Sequence, residues 1–199
     1  MTLFPWLRAR QSLARSGPVA PEARTFRPRA AIIKRFRRSD EGVAAVEFAF
    51  VAGPFLFLLF AIIEVALVFF AGQVLETATA SASRLILTGQ AQQQNFSQAA
   101  FRNEICKQTN VLMNCNDIGV DVRTYASFGS ANQSRPTDAS GAVNYGSMTF
   151  TPGSGGDIVV VRVVYEWPVL MPSFGLQVGD LPNGKRLLMA TTAFRNEPF

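Results

Sequence analysis

Three groups of residues in this 199-residue chain could carry chemistry: Gly42-Val43 followed by Glu47, a lone Glu64 deep in an apolar run, and the pair Cys106 and Cys115. Glu47 stands four residues after Val43, one helical turn on. If the chain were cut between Gly42 and Val43, the new α-amino group would lie on the same helix face as this carboxylate, close enough for the opposite charges to neutralise each other. Two readings of Glu47 stand: an acid made tolerable by that amine, or an acid that sits in the headgroup layer where a helix enters a membrane. Glu64, 17 residues further, falls about 100° around the helix from Glu47. The two acids are therefore not a stacked catalytic pair. With no base in the run, Glu64 is expected to face another helix or to take up a proton, because an exposed charge at that depth costs at least ~2.5 kcal/mol.

The element that must position these acids is the apolar run itself. Phe48 to Gly72 is 25 residues whose only ionisable side chain is Glu64, and about 20 apolar residues suffice to cross a ~30 Å hydrocarbon core. A chain of this length has too small a core to bury such a run in a soluble fold. Pro54 lacks an amide proton and clashes with the carbonyl of residue 50, so Gly53 and Pro54 together could loosen the helix; an ordinary proline tolerated in a membrane helix is the plainer reading. Past Gly72 the helix is expected to continue to Thr88 and stop at Gly89, 46 residues from Val43 and about 69 Å long.

Charge orients the span. Residues 1–39 hold ten bases, Arg8 to Arg38, against Glu22, a tail of +9; Asp40, Glu41, Glu47 and Glu64 offset it to the chain's net +5. Basic flanks stay in the cytoplasm, which puts the N-terminus inside and the rest outside. The proline-bearing tail reads as a disordered leader attracted to anionic lipid; no nucleic-acid module follows it, and no nucleic-acid partner is expected. A cleavable secretory signal is the alternative for the run, since ATASAS at 78–83 offers small residues for cleavage, but such signals have apolar regions of only about 7–15 residues.

Downstream, QAQQQN at 90–95 reads as a linker and SQAAFRNEICKQ at 97–108 as a short helix. Strands are predicted at 118–125, 157–167 and 186–195, the second ending at Pro168, with a long Ser-, Gly- and Asn-rich connection over 127–156. The fold class is α+β: a long N-terminal transmembrane helix extending into a small outer domain with an antiparallel sheet. Its parts are a leader at 1–42, the helix with its extension at 43–89, and the domain at 90–199. Cys106 and Cys115 enclose eight residues in the half expected to meet an oxidising compartment. A disulfide there would contribute roughly 2–3 kcal/mol; two buried free thiols are the alternative.

Catalysis finds little support. The chain has no histidine, its cysteines lack metal-ligand spacing, SGG at 154–156 is a turn, and beyond the span only Lys107 and Lys185 remain to act as a base. No enzyme activity, cofactor or metal is expected.

The string EGVAAVEFAFVAGPFLFLLFAIIEVALVFFAGQVLETATASASR resembles the N-terminal signature of TadE-like proteins, minor pilin-like components of tight-adherence (Flp, type IVb) pilus systems. The matching elements are Gly42, Ala45-Val46-Glu47-Phe48, Pro54, Ile62-Ile63-Glu64 and the alanine-rich stretch closing at Arg84; DIVVVRVVYEWPVLMP and FRNEPF are also similar to family members. Gly53 departs from the bulky aliphatic residue more usual before the proline. The resemblance implies an inner-membrane, pilin-like protein of pilus assembly with a periplasmic domain, processed after Gly42 by a prepilin peptidase, with Val43 as the mature first residue and Glu47 as the signature acid. A glycine offers no side chain to obstruct a protease cleft. Partners implied are that peptidase, other pilin-like subunits and inner-membrane pilus machinery. The competing function is an unprocessed, membrane-anchored periplasmic binding module.

Overall fold

The computed structural model describes residues 42–131, 134–170 and 178–199. The basic leader, apart from Gly42, lies outside the described residues. The chain divides into two units after Phe50, and in the first of these residues 43–50 are helical throughout.

Helix α1 runs Val43–Leu87, 45 residues, unbroken through Pro54. It is long and apolar enough to cross a membrane. None of residues 43–60 is buried, and Ala61 is the first that is. From there Ala61, Glu64, Ala71, Leu75, Ala78, Ala82 and Ile86 are buried at spacings that keep returning to one face. Val68 packs at the same face. The opposite side stays exposed and wholly apolar through Phe69 and Phe70, then turns polar at Gln73, Glu76 and Thr77.

The helix stops at a glycine because the chain must reverse there. Gly89 has φ +78°, and a Cβ at that position would fall into the ring of Phe199. The QAQQQN segment is not a plain linker: Gln90–Gln93 form a short helix, α2, and Ala91 is 1% exposed. Helix α3 spans Gln98–Thr109, its first turn capped by Ser97 accepting from the Ala100 amide. Phe101 and Ile105, on one face of α3, are fully buried. The α3 register is joined to the sheet by Gln98, which donates to the Val120 carbonyl at 2.6 Å.

Three antiparallel strands follow in a meander, β1 (Gly119–Tyr125), β2 (Ile158–Trp167) and β3 (Arg186–Arg195). One face of the sheet presents Val120, Val122, Val159, Val161, Val163 and Ala190 to α1 and α3. Each fully buried valine or leucine there contributes about 1.5–3 kcal/mol. The long connection is not open loop. Phe150 forms a parallel bridge with Val122, and Val143 and Met148 pack on Val164 and Leu187 across the second face. The sheet is thus covered on both sides, and this is why β2 is apolar at nearly every position rather than at alternate ones.

The strands lie along the C-terminal part of α1. At one end the Leu170 amide, just after β2, donates to Glu64; at the other the Glu197 amide, just after β3, donates to the Leu87 carbonyl.

Candidate functional site

Gly42 is half-buried and immediately precedes α1; Val43, the first helical residue, is 51% exposed, and Glu47 is exposed one turn later. The helix therefore begins where the Gly42-Val43 bond lies. Gly53 meets no atom within 4 Å, and Pro54 is exposed in the continuing helix.

Glu64, expected to face another helix or to take up a proton, lies in α1 against its own chain. It is 4% exposed, and its Oε1 accepts a hydrogen bond from the Leu170 backbone at 2.6 Å. The group that comes to the glutamate is supplied by this chain, 106 residues downstream. A backbone N–H is a good partner here, since it stabilises a carboxylate without importing a second charge into apolar surroundings.

Cys106, in α3, and Cys115, in the turn at Cys115–Asp117, form a disulfide with Cα atoms 5.5 Å apart. It ties the end of α3 to the segment that enters β1. The same turn is held from the sheet side, where the Tyr165 hydroxyl accepts from the Asn114 amide at 3.3 Å.

The second face of the sheet holds a polar cluster that the strand pattern alone did not bring together. Asp121 is 2% exposed and Arg162 6% exposed. Arg162 reaches the Asp121 carboxylate through Nη2 at 2.5 Å and Nε at 3.2 Å, and donates from Nη1 to the Ser134 carbonyl at 3.0 Å. Arg123 donates to the other carboxylate oxygen at 2.9 Å, as does the Thr149 amide. Burial pushes the Asp121 carboxyl up, but the Thr149 amide and the two guanidiniums push it down by more, and it ends below the ordinary aspartate range. Asp180 behaves alike: burial raises it, while the Leu187 amide and Arg135 beside it lower it further. Tyr145 goes the other way, its phenol held well above the usual value by burial and by the Glu166 carboxylate.

The signal that could have found this cluster is in β2. Arg162 and Glu166 share one face of the strand with Val160 and Val164; a strand apolar on both faces calls for a cover on both. Asp121 pairs with Arg162 in the β1–β2 register, so the connection at 134–149 lies over a charge pair rather than over water. Among the described residues, no three of Cys, Asp and Glu gather into a group that could hold a metal ion.

The TadE-like protein family model matches residues 42–84. It opens on the glycine before α1 and closes at Arg84, in the helix's last turn. The C-terminal strings DIVVVRVVYEWPVLMP and FRNEPF fall outside it. No curated protein and no solved structure matches the chain. A TadE-like segment on a helix able to cross a membrane fits a protein associated with tight-adherence pili. Gly42, Glu47, Glu64 and the small-residue face of α1 that receives the sheet all fall within the segment, residues 42–84, that is similar to TadE-like proteins.

Proposed function

We propose that this chain is a single-pass inner-membrane, minor pilin-like protein acting in assembly of Flp-type pili, and that a prepilin peptidase cuts it after Gly42. The observation that carries the reading is the coincidence of three boundaries: the TadE-like match begins at Gly42, α1 begins at Val43, and the first acid, Glu47, follows one turn later. Cutting there removes the basic leader and leaves a helix whose free amine and Glu47 carry opposite charges on one face. The pair lowers the cost of holding either group in a low-dielectric setting. The leader, with its ten bases, holds the N-terminus in the cytoplasm until the cut, and the disulfide suits a periplasmic domain. Other pilin-like subunits and the inner-membrane pilus machinery are the partners of this reading.

The test is the N-terminal residue of the protein purified from membranes and from sheared pili. A mature chain starting at Val43 is expected in membranes, and its presence or absence in the sheared fraction reports whether it enters the fibre. A leader left intact, or removed at another bond, overturns the processing step.

A further inference from the structure

A cavity of about 430 Å³ opens between α1 and the start of β3, within the ~300–1,000 Å³ of small-molecule sites. Val65 and Phe69 of α1 and Leu188 and Met189 of β3 supply apolar walls; Gln73, Glu76 and Arg186 supply its polar groups. The cavity straddles the level at which the outward face of α1 changes from Phe69 and Phe70 to Gln73 and Glu76. In a helix that crosses a bilayer, that change marks the passage from hydrocarbon to headgroups. Trp167, register partner of Arg186 in the sheet, is the residue type that settles at this boundary.

The two charged groups are placed for a ligand of both signs. Arg186 donates from Nη1 to the Val178 carbonyl at 3.2 Å, and among the described residues no carboxylate lies within ion-pair distance of it. Glu76 accepts from Gln73 through Oε2 at 3.2 Å, leaving Oε1 for a cation. A guanidinium suits a phosphate diester, a carboxylate suits a primary ammonium, and the apolar walls suit an acyl chain. A free phosphate would leave those walls wet, and a second anionic group would face Glu76.

We propose that this cavity binds one zwitterionic aminophospholipid, with its phosphate on Arg186, its ammonium on Glu76 and part of an acyl chain along Val65, Phe69 and Leu188. The proposal rests on the membrane-crossing reading of α1. It implies that the outer domain is seated on the bilayer surface by a bound lipid as well as by its helix.

Native mass spectrometry of the full chain in detergent, titrated with phosphatidylethanolamine, phosphatidylcholine or phosphatidylglycerol, tests it. One phosphatidylethanolamine adduct is expected at lipid concentrations at least five-fold below those needed for the other two. Gly72→Leu fills the cavity from a position where a Cβ meets nothing within 4 Å, and Arg186→Gln removes the guanidinium; each is expected to weaken the adduct about ten-fold with an unchanged melting temperature. Gly53→Leu, on the exposed stretch before Ala61, is expected to leave it intact. Equal binding by wild type and both cavity variants would mean a loosely surrounding lipid shell and overturn the site. Preference for phosphatidylglycerol overturns the headgroup assignment, and a detergent-stable dimer abolished by the same variants puts a second copy there instead. Carbonate extraction of membranes separates the premises: release of the chain overturns the membrane reading itself, whereas a retained chain without the selective adduct overturns the lipid site alone.

Discussion

Replacing Asp121 with asparagine should destabilise the sheet-bearing domain far more than its modest change in size suggests. Asp121 forms a buried ion pair with Arg162, the two side chains being 3% and 7% exposed. The substituted amide would present an N–H₂ group toward guanidinium donors and take from the buried Arg162 the carboxylate it faces, a loss of about 3–5 kcal/mol for breaking a buried pair from one side. At about 2–4 °C per kcal/mol for a chain of this size, the lower figure corresponds to a melting temperature lower by about 6–12 °C. The exposed partner should matter little: the Arg123 side chain is 39% exposed, and Arg123→Ala should cost about 0–1 kcal/mol. Adding Arg162→Met to Asp121→Asn removes the stranded charge and should recover at least about 1 kcal/mol of the loss, the signature of a coupled pair. Trp167 fluorescence during thermal unfolding of the oxidised protein in detergent provides the assay. A shift below about 2 °C for Asp121→Asn, or a double variant no more stable than the single one, would refute the claim that a buried pair organises this face.

The same cluster fixes a sign for acid sensitivity. Asp121 and Asp180 both have folded pKa values below their unfolded ones, so their contribution is fully present above about pH 4 and is lost as pH falls below that toward the folded values; melting temperature measured from pH 6 to pH 2 should fall in that lower range, and Asp121→Asn should flatten the fall. A melting temperature that rises on acidification contradicts the assignment. For Glu64, Glu64→Gln keeps an acceptor for the Leu170 amide, whereas Glu64→Leu removes it. Hydrogen exchange at Leu170 should speed up about ten-fold in the leucine variant and little in the glutamine one; equal rates in both would show that the contact does not hold the segment after β2.

Local pattern accounts for much of this fold. The predicted helix 43–88 and the observed Val43–Leu87 differ by one residue, the three strands fall within a residue of their predicted bounds, and the last coincides at Arg186–Arg195. Each of these depends on periodicity or on a breaker such as Gly89 or Pro168, information carried within a short window. What escaped notice depends on partners far away in the chain. The hydrogen bond to Glu64 joins residues 106 apart, and Arg162 meets Asp121 across 41. The connection at 127–156 has the composition of a loop, and composition says nothing of whether a loop lies over a face. Only the valines of β2 on both sides of Arg162 and on both faces of the strand hinted that one must. At the candidate site, Gly42, Glu47 and Glu64 were legible as residues, and the covering of Glu64 by its own chain was not.

The seam between α1 and the sheet has a mechanical consequence. Strands β2 and β3 run alongside the helix from the Leu170 contact at Glu64 to the Glu197 contact at Leu87, a stretch of 23 residues or about 35 Å. A tug along the helix axis therefore loads this seam in shear, with the alanine, leucine and valine contacts along it resisting together, whereas a pull across the axis would open them one after another like a zip. The domain is a splint bound lengthwise to a rod. Traction along the helix past Ala61 reaches the β-sheet without a weak hinge between them, and on the proposed membrane reading the protein is strongest in the direction in which it would be drawn from or held in a bilayer.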